Sequence, residues 1–215
     1  MIDLILFDCD GVLVDSEILA NRIIAELKTE LGHPITVEEQ IRRFVGLSVH
    51  SEAVIEELKK FPPGFRELVR ERTRLAYERE LRAIAGVHEV LAALTQRICV
   101  VSNSLPDSLD SKLRRLDLLK FFGDRVFGVA PPLRPKPAPD LMAHAAWILR
   151  ADPAHCLVIE DSVTGVTAAR NAGMKVYGFL GGGHVLPETG SRLMDAGASR
   201  VFNAMSELPL LLESD

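Results

Sequence analysis

Cysteine is scarce: Cys9, Cys99 and Cys156 are the only three in 215 residues. Odd in number and far apart, they exclude a disulfide framework and a cysteine-ligated zinc site. Their places in or beside apolar runs read as small buried hydrophobes in a reducing compartment. Basic charge is not in excess either, since 25 Lys and Arg face 30 Asp and Glu for a net charge of −5. Nothing in that balance draws the chain to nucleic acid or to an anionic membrane. No run approaches the roughly 18 apolar residues that cross a bilayer. The first residues, Met1-Ile2-Asp3-Leu4-Ile5-Leu6-Phe7-Asp8, lack the basic segment of a signal peptide. A cytoplasmic protein is the expectation. Aromatics are few, at 6%, but the 47% hydrophobic and 26% charged fractions are those of a globular chain, which excludes disorder and low complexity. No internal repeat is present.

Short apolar, β-branched runs recur at residues 2–7, 98–101, 126–129, 157–159, 176–180 and 200–202. Their near-continuous apolarity predicts strands covered on both faces, as in a parallel sheet. Helical spacing over 86–95, 137–149 and 163–172 separates them, the last stopping at Gly173. Strands alternating with helices predict a doubly wound, Rossmann-like α/β fold. One region breaks the alternation. Residues 16–82 show only helical periodicity, over 18–31, 37–45, 51–60 and 64–81, punctuated by Gly32-His33-Pro34 and Pro62-Pro63-Gly64. The expected organisation is therefore a core of residues 1–15 and 83–215 with an inserted helical domain of residues 16–82. That insertion holds 12 basic and 12 acidic residues, so the other 13 basic and 18 acidic residues place the whole −5 in the core.

Four segments carry chemistry. The first strand runs into Asp8-Cys9-Asp10-Gly11-Val12-Leu13-Val14-Asp15-Ser16, and ligands of parallel sheets bind at the carboxyl ends of strands. Asp8 and Asp10, two apart, are like charges that need a cation, a proton or hydrogen bonds to coexist; the plain alternative is a pair of solvated turn acids. An EF-hand loop does not fit, because Val12 takes a ligand position and glycine comes fourth instead of sixth. Leu157-Val158-Ile159-Glu160-Asp161-Ser162 is a second strand ending in acids. Oxygen ligands from both strands suit Mg²⁺ better than zinc or copper, while helix capping by Asp161 or Ser162 is the plain alternative. Ser102 and Asn103 follow a third strand, where a hydroxyl and backbone N–H groups can cradle phosphate or simply form a turn. Lys136 stands between Pro135 and Pro137 in Arg134-Pro135-Lys136-Pro137-Ala138-Pro139-Asp140. A stiffened backbone can hold its ammonium near the acids, or merely lead a loop into a helix.

Taken in order, Asp8-x-Asp10 with Gly11 and Asp15-Ser16, then Ser102, Lys136 and Glu160-Asp161, this pattern resembles the haloacid dehalogenase-like hydrolase superfamily over nearly the whole chain. Within it the chain is similar to the β-phosphoglucomutase-like phosphatase branch, with the sugar-phosphate phosphatases of the 6-phosphogluconate type nearest. The helical insertion matches that superfamily's cap. The resemblance implies Asp8 as nucleophile, forming an aspartyl-phosphate, and Asp10 as the acid that protonates the leaving oxygen and later activates water. It also implies Mg²⁺ held by Asp8, the Asp10 carbonyl and Asp161, with Glu160 in or near its shell, while Ser102, Asn103 and Lys136 bind the phosphoryl group. The dehalogenases fit poorly, since they need no metal and lack a counterpart of Asp10. The mutases carry a histidine where Ala20 stands and an arginine in the cap loop where Val49 stands, so hydrolysis is favoured over a phosphomutase reaction. A non-catalytic phospho-ligand-binding regulatory protein is the alternative from another class; the full set of acids, Lys136 and the helical insertion count against it. The expected partner is a small phosphorylated metabolite, a sugar or sugar-acid phosphate, bound by a monomer or small homo-oligomer.

Other features read as ordinary. Arg66, Arg70, Arg74 and Arg82 form one i,i+4 column, a solvated face balanced by Glu67, Glu71, Glu78 and Glu80 rather than an anion site. His50 reads as a surface residue, Trp147 as core or interface, and Gly181-Gly182-Gly183-His184 as a mobile loop near the mouth.

Overall fold

A computed structural model describes residues 2–45 and 52–213. In chain order the elements are β1 (Leu4–Phe7), α1 (Ser16–Glu30), α2 (Val37–Phe44), α3 (Glu52–Leu58), α4 (Phe65–Glu80), α5 (Val87–Ala93), β2 (Arg97–Ser102), α6 (Pro106–Arg115), α7 (Leu119–Phe122), β3 (Val126–Gly128), α8 (Asp140–Ile148), β4 (Cys156–Glu160), α9 (Val163–Asn171), β5 (Lys175–Phe179), α10 (Thr189–Asp195), β6 (Arg200–Phe202) and α11 (Leu208–Glu213). The six strands form one sheet in the order β3-β2-β1-β4-β5-β6, each neighbouring pair parallel. That is the doubly wound Rossmann order, with its crossover beside β1.

Strand periodicity explains why the apolar runs are unbroken. Side chains alternate between faces, and both faces are cores. Ile5, Phe7, Ile98, Val100, Leu157, Ile159, Tyr177 and Phe179 enter one buried cluster with Leu109 and Leu113 of α6 and Val87, Val90 and Leu91 of α5. Leu4, Leu6, Cys99, Val101, Cys156, Val158 and Val176 enter the other with Leu141, Met142 and Ala145 of α8 and Val166 and Ala169 of α9. All three cysteines are free and buried, as their apolar settings suggest.

After β1 the chain passes through Val14 into α1 and later comes back through Ala83 toward β2, and the two passages pair: Asp15 N–H donates to Arg82 O at 2.9 Å and Ile84 N–H to Leu13 O at 3.0 Å. Between them lie α1–α4, with α1 packed on α2 and α4. Lys28 is buried there, its ammonium 2.7 Å from Glu57 and 4.1 Å from the Phe44 ring centroid. Among the described residues no helix is long and apolar enough to cross a membrane.

Four helices are not anticipated by the apolar spacing, namely α6, α7, α10 and α11. Each offers only one or two fully buried apolar positions, too few to show a period. The predicted helix over 137–149 begins only at Asp140, because Pro135, Pro137 and Pro139 precede it. Trp147 is not in the core: it lies on the outer face of α8, 73% exposed.

Candidate active site

Sheet register assembles the site. Phe7, the last residue of β1, pairs with Val100 of β2 and Ile159 of β4. The next residues, Asp8, Val101-Ser102 and Glu160-Asp161, therefore emerge together at one sheet edge, three strands wide. A Lys136 ammonium is buried among them, 2.6 Å from Asp8 Oδ1 and 2.5 Å from Glu160 Oε1. Its loop is tethered by Asn103, whose Oδ1 accepts from Lys136 N at 2.8 Å and whose Nδ2 donates to Lys136 O at 3.2 Å. Asn103, read as a phosphate ligand, here spends its amide on the backbone of the lysine loop.

Glu160 is fixed on its other side too. Its Oε2 accepts from Asp161 N at 3.1 Å, Ser162 N at 3.2 Å and Ser162 Oγ at 2.9 Å. Ser162 Oγ in turn caps α9 by accepting from Gly165 N at 3.1 Å. The capping role and the acid cluster, alternatives in the sequence, are thus both present, divided between Ser162 and its neighbours. A Cβ on Gly165 would come 1.9 Å from the Glu160 carboxyl, so helix α9 reaches this carboxylate only because residue 165 has no side chain. Gly165→Ala is expected to push Glu160 off Lys136 and to cost about 1–3 kcal/mol of stability, as overpacking does. Urea unfolding checks this, and an unchanged midpoint would show that the carboxylate has room elsewhere.

Oxygen atoms of Asp8, Glu160 and Asp161 lie within 4.8 Å of one another. Burial pushes the Asp8 carboxyl well above its usual range; Lys136 opposes this, while Glu160, Asp161 and Asp10 add to it. One ammonium does not neutralise such a group, so the site has both the hard oxygen donors and the unmet negative charge that suit a small divalent cation.

Asp10 sits on a separate network. Burial would raise its carboxyl, but Lys112 and the hydroxyls of Ser16 and Ser104 hold it below the usual range. Oδ1 accepts from Ser16 Oγ and Lys112 Nζ, both at 2.5 Å, and Oδ2 from Ser104 Oγ at 2.7 Å and Ser102 Oγ at 3.4 Å. Ser102 is thus at the site, turned toward Asp10. Lys112 was not among the sequence candidates, since α6 itself gave no signal.

His184, placed by the sequence only in a glycine loop near the mouth, enters the site itself. Its loop packs into the site: the ring is 4% exposed, Nε2 lies 3.0 Å from Asp161 Oδ2, and the buried Nδ1 has no hydrogen-bond partner. Gly183 N donates to Asp15 Oδ1 at 2.9 Å. Gly11 adopts φ +84°, and a Cβ there would lie 1.8 Å from Asp161 Oδ2, so the turn after Asp10 also requires glycine. Glu17, in the first turn of α1, is pushed up to about 7 by burial and by the charges of Asp10 and Asp161. In the arginine column Arg74 pairs with Glu71 and Glu78, as a solvated face would. Val49 and His50 lie outside the described residues.

Those carboxylates and lysine at the strand ends of a Rossmann-like sheet define a class. The haloacid dehalogenase-like hydrolase family model matches residues 2–173, and the chain belongs to that family of hydrolases. It is 31% identical over 214 residues to 6-phosphogluconate phosphatase of Escherichia coli (strain K12), covering 98% of this chain and 94% of that protein. It is 33% identical over 220 residues to a phosphorylated carbohydrates phosphatase of Thermotoga maritima, covering 97% and 98%. Among solved structures, a HAD family hydrolase from Deinococcus radiodurans R1 with bound phosphate and sodium superposes with a TM-score of 0.86 at 34% identity, over 99% of this chain and 96% of that one.

Proposed function

We propose that the protein is a Mg²⁺-dependent phosphatase of a small sugar or sugar-acid phosphate, acting through an aspartyl-phosphate on Asp8. The observation that carries this reading is the buried Lys136 ammonium between Asp8 and Glu160, with Asp161 alongside. The similar proteins named as phosphatases of 6-phosphogluconate and of phosphorylated carbohydrates support the substrate class.

Lys136 opposes the burial that raises the Asp8 carboxyl and so favours the ionised form, whose oxygen attacks phosphorus. The negative charge of a bound phosphoryl group would lift the Asp10 carboxyl that Lys112 and the hydroxyls hold low, so that the ester oxygen leaves with its proton. Asp10 then takes a proton from the water that attacks the aspartyl-phosphate and returns Asp8. Ser102 and Lys136 supply donors to the phosphoryl oxygens, the charge neutralisation on which phosphoryl transfer depends. Asp8, Asp161 and the Asp10 carbonyl would hold Mg²⁺, with Glu160 behind them; the ion would offset charge on the phosphoryl group.

Residues 16–82 would act as a cap on a core of 1–15 and 83–215, hinged at the paired passages through Asp15 and Arg82. Cap and core already meet, where Arg42 Nε lies 3.2 Å from Glu188 and Arg115 donates to Glu78 O at 2.8 Å. A closed cap excludes bulk water and large substrates. The buried free cysteines are in keeping with a cytoplasmic setting.

Phosphate release from p-nitrophenyl phosphate tests this reading. Turnover is expected to vanish in EDTA and to return with Mg²⁺, and full turnover in EDTA would contradict it. A panel of sugar and sugar-acid phosphates, with products analysed, then separates hydrolysis from conversion to an isomeric phosphate.

A further inference from the structure

We infer that Lys112 is a positioning residue for Asp10, fixing the carboxylate that handles the proton; this rests on the role proposed above for Asp10. Lys112 belongs to α6, outside every motif of the family pattern, yet its ammonium is buried and in contact with the site. Taking an ammonium out of water is costly unless a partner meets it. Among the described residues its ion pair is with Asp10 alone, at 2.5 Å. The same ammonium donates to Ser104 Oγ at 3.1 Å, and Ser104 Oγ donates to Asp10 Oδ2. Lys112 thus braces both oxygens of Asp10, one directly and one through a hydroxyl.

Four elements converge on this carboxylate: Ser16 from the start of α1, Ser102 from the end of β2, Ser104 from the loop after it, and Lys112 from α6. Hydroxyls alone would leave the side chain freer to turn, because they rotate and carry no charge. The ammonium makes the contacts charge-assisted and therefore stronger and more directional. Its outer side faces the Tyr77 ring, 5.6 Å to the centroid, on α4 of the helical insertion. Arg115, one turn further along α6, donates to Glu78 O of α4 at 2.8 Å. A purely structural role, gluing α6 to α4, is therefore the competing explanation.

A leaving-group comparison separates the two. In the first half-reaction the Asp10 proton goes to the departing ester oxygen as that oxygen's bond to phosphorus breaks. p-Nitrophenolate departs without that proton, whereas phenolate gains from it. For Lys112→Met, kcat/KM with phenyl phosphate is expected to fall roughly tenfold, less than the roughly 10²–10⁴-fold that general acid catalysis supplies in all. With p-nitrophenyl phosphate the fall stays below about threefold, since less general acid catalysis is at stake. Lys112→Arg, which keeps a cation on a stem of similar reach, recovers most of the phenyl phosphate rate. Should Lys112→Met fold poorly, Lys112→Gln gives the same comparison. Equal losses on both substrates would assign Lys112 to packing and overturn the inference, as would no loss on either. Asp10→Asn, measured alongside, keeps the failures apart: unchanged phenyl phosphate turnover in that variant would sink the Asp10 role itself.

Discussion

Asp8→Asn abolishes phosphate release, by on the order of 10⁴-fold or more, as loss of a nucleophile does elsewhere, while the protein stays folded. The amide is nearly isosteric but offers no anionic oxygen to attack phosphorus. Stability is the informative second readout. Burial raises the Asp8 carboxyl above its ordinary value, so the ionised group costs stability at neutral pH, and that cost is relieved as pH falls through the raised value. Asparagine removes the cost, leaving Lys136 paired with Glu160. The variant is therefore expected to melt at or above the temperature of the parent. Residual turnover near the parent's would remove Asp8 from the chemistry; a large drop in melting temperature would show that it serves the fold.

Lys136→Met produces the opposite pairing of effects, with activity and stability both lost. The ammonium is the shared counter-ion of Asp8 and Glu160, and Asp161 lies in the same cluster. Removing one partner of a buried pair strands the others, at about 3–5 kcal/mol. The rate falls by roughly 10²–10³-fold through loss of a fixed donor to the developing charge. Chemical denaturation and steady-state kinetics on one preparation check both. A variant as stable as the parent would mean that the carboxylates share protons and have little need of the lysine.

How much of this was legible follows from what each residue answers to. The strands answer to local pattern, because a strand buried on both faces must be apolar throughout, and all six runs became strands of the sheet. Asp8, Ser102, Glu160 and Asp161 were legible because strand ends are where a parallel sheet presents polar groups, and Lys136 because flanking prolines mark a fixed backbone. Lys112 had no such mark. Its partner Asp10 is 102 positions away in sequence, and a lysine on a helix with two fully buried leucines looks like any solvated one. His184 was hidden for a related reason. Three glycines before it suggest mobility, whereas here they permit close approach: a Cβ on Gly182 would come 2.8 Å from the imidazole and 2.9 Å from Gly11 O. Glycine at a crevice signals either freedom or crowding, and only the tertiary neighbours decide which. Trp147 shows the converse, a large apolar side chain at helical spacing that the fold leaves outside.

In the mechanism proposed above, Asp8 carries the phosphoryl group between substrate and water. Rapid acid quench of the Mg²⁺-loaded protein with ³²P-labelled substrate, followed by peptide mapping, tests it most directly. An alkali-labile phosphate is expected on the peptide containing Asp8, formed and lost at rates compatible with turnover and absent from Asp8→Asn. Label on a different residue, or hydrolysis at the full rate with no labelled peptide and with inverted configuration at phosphorus, would contradict it.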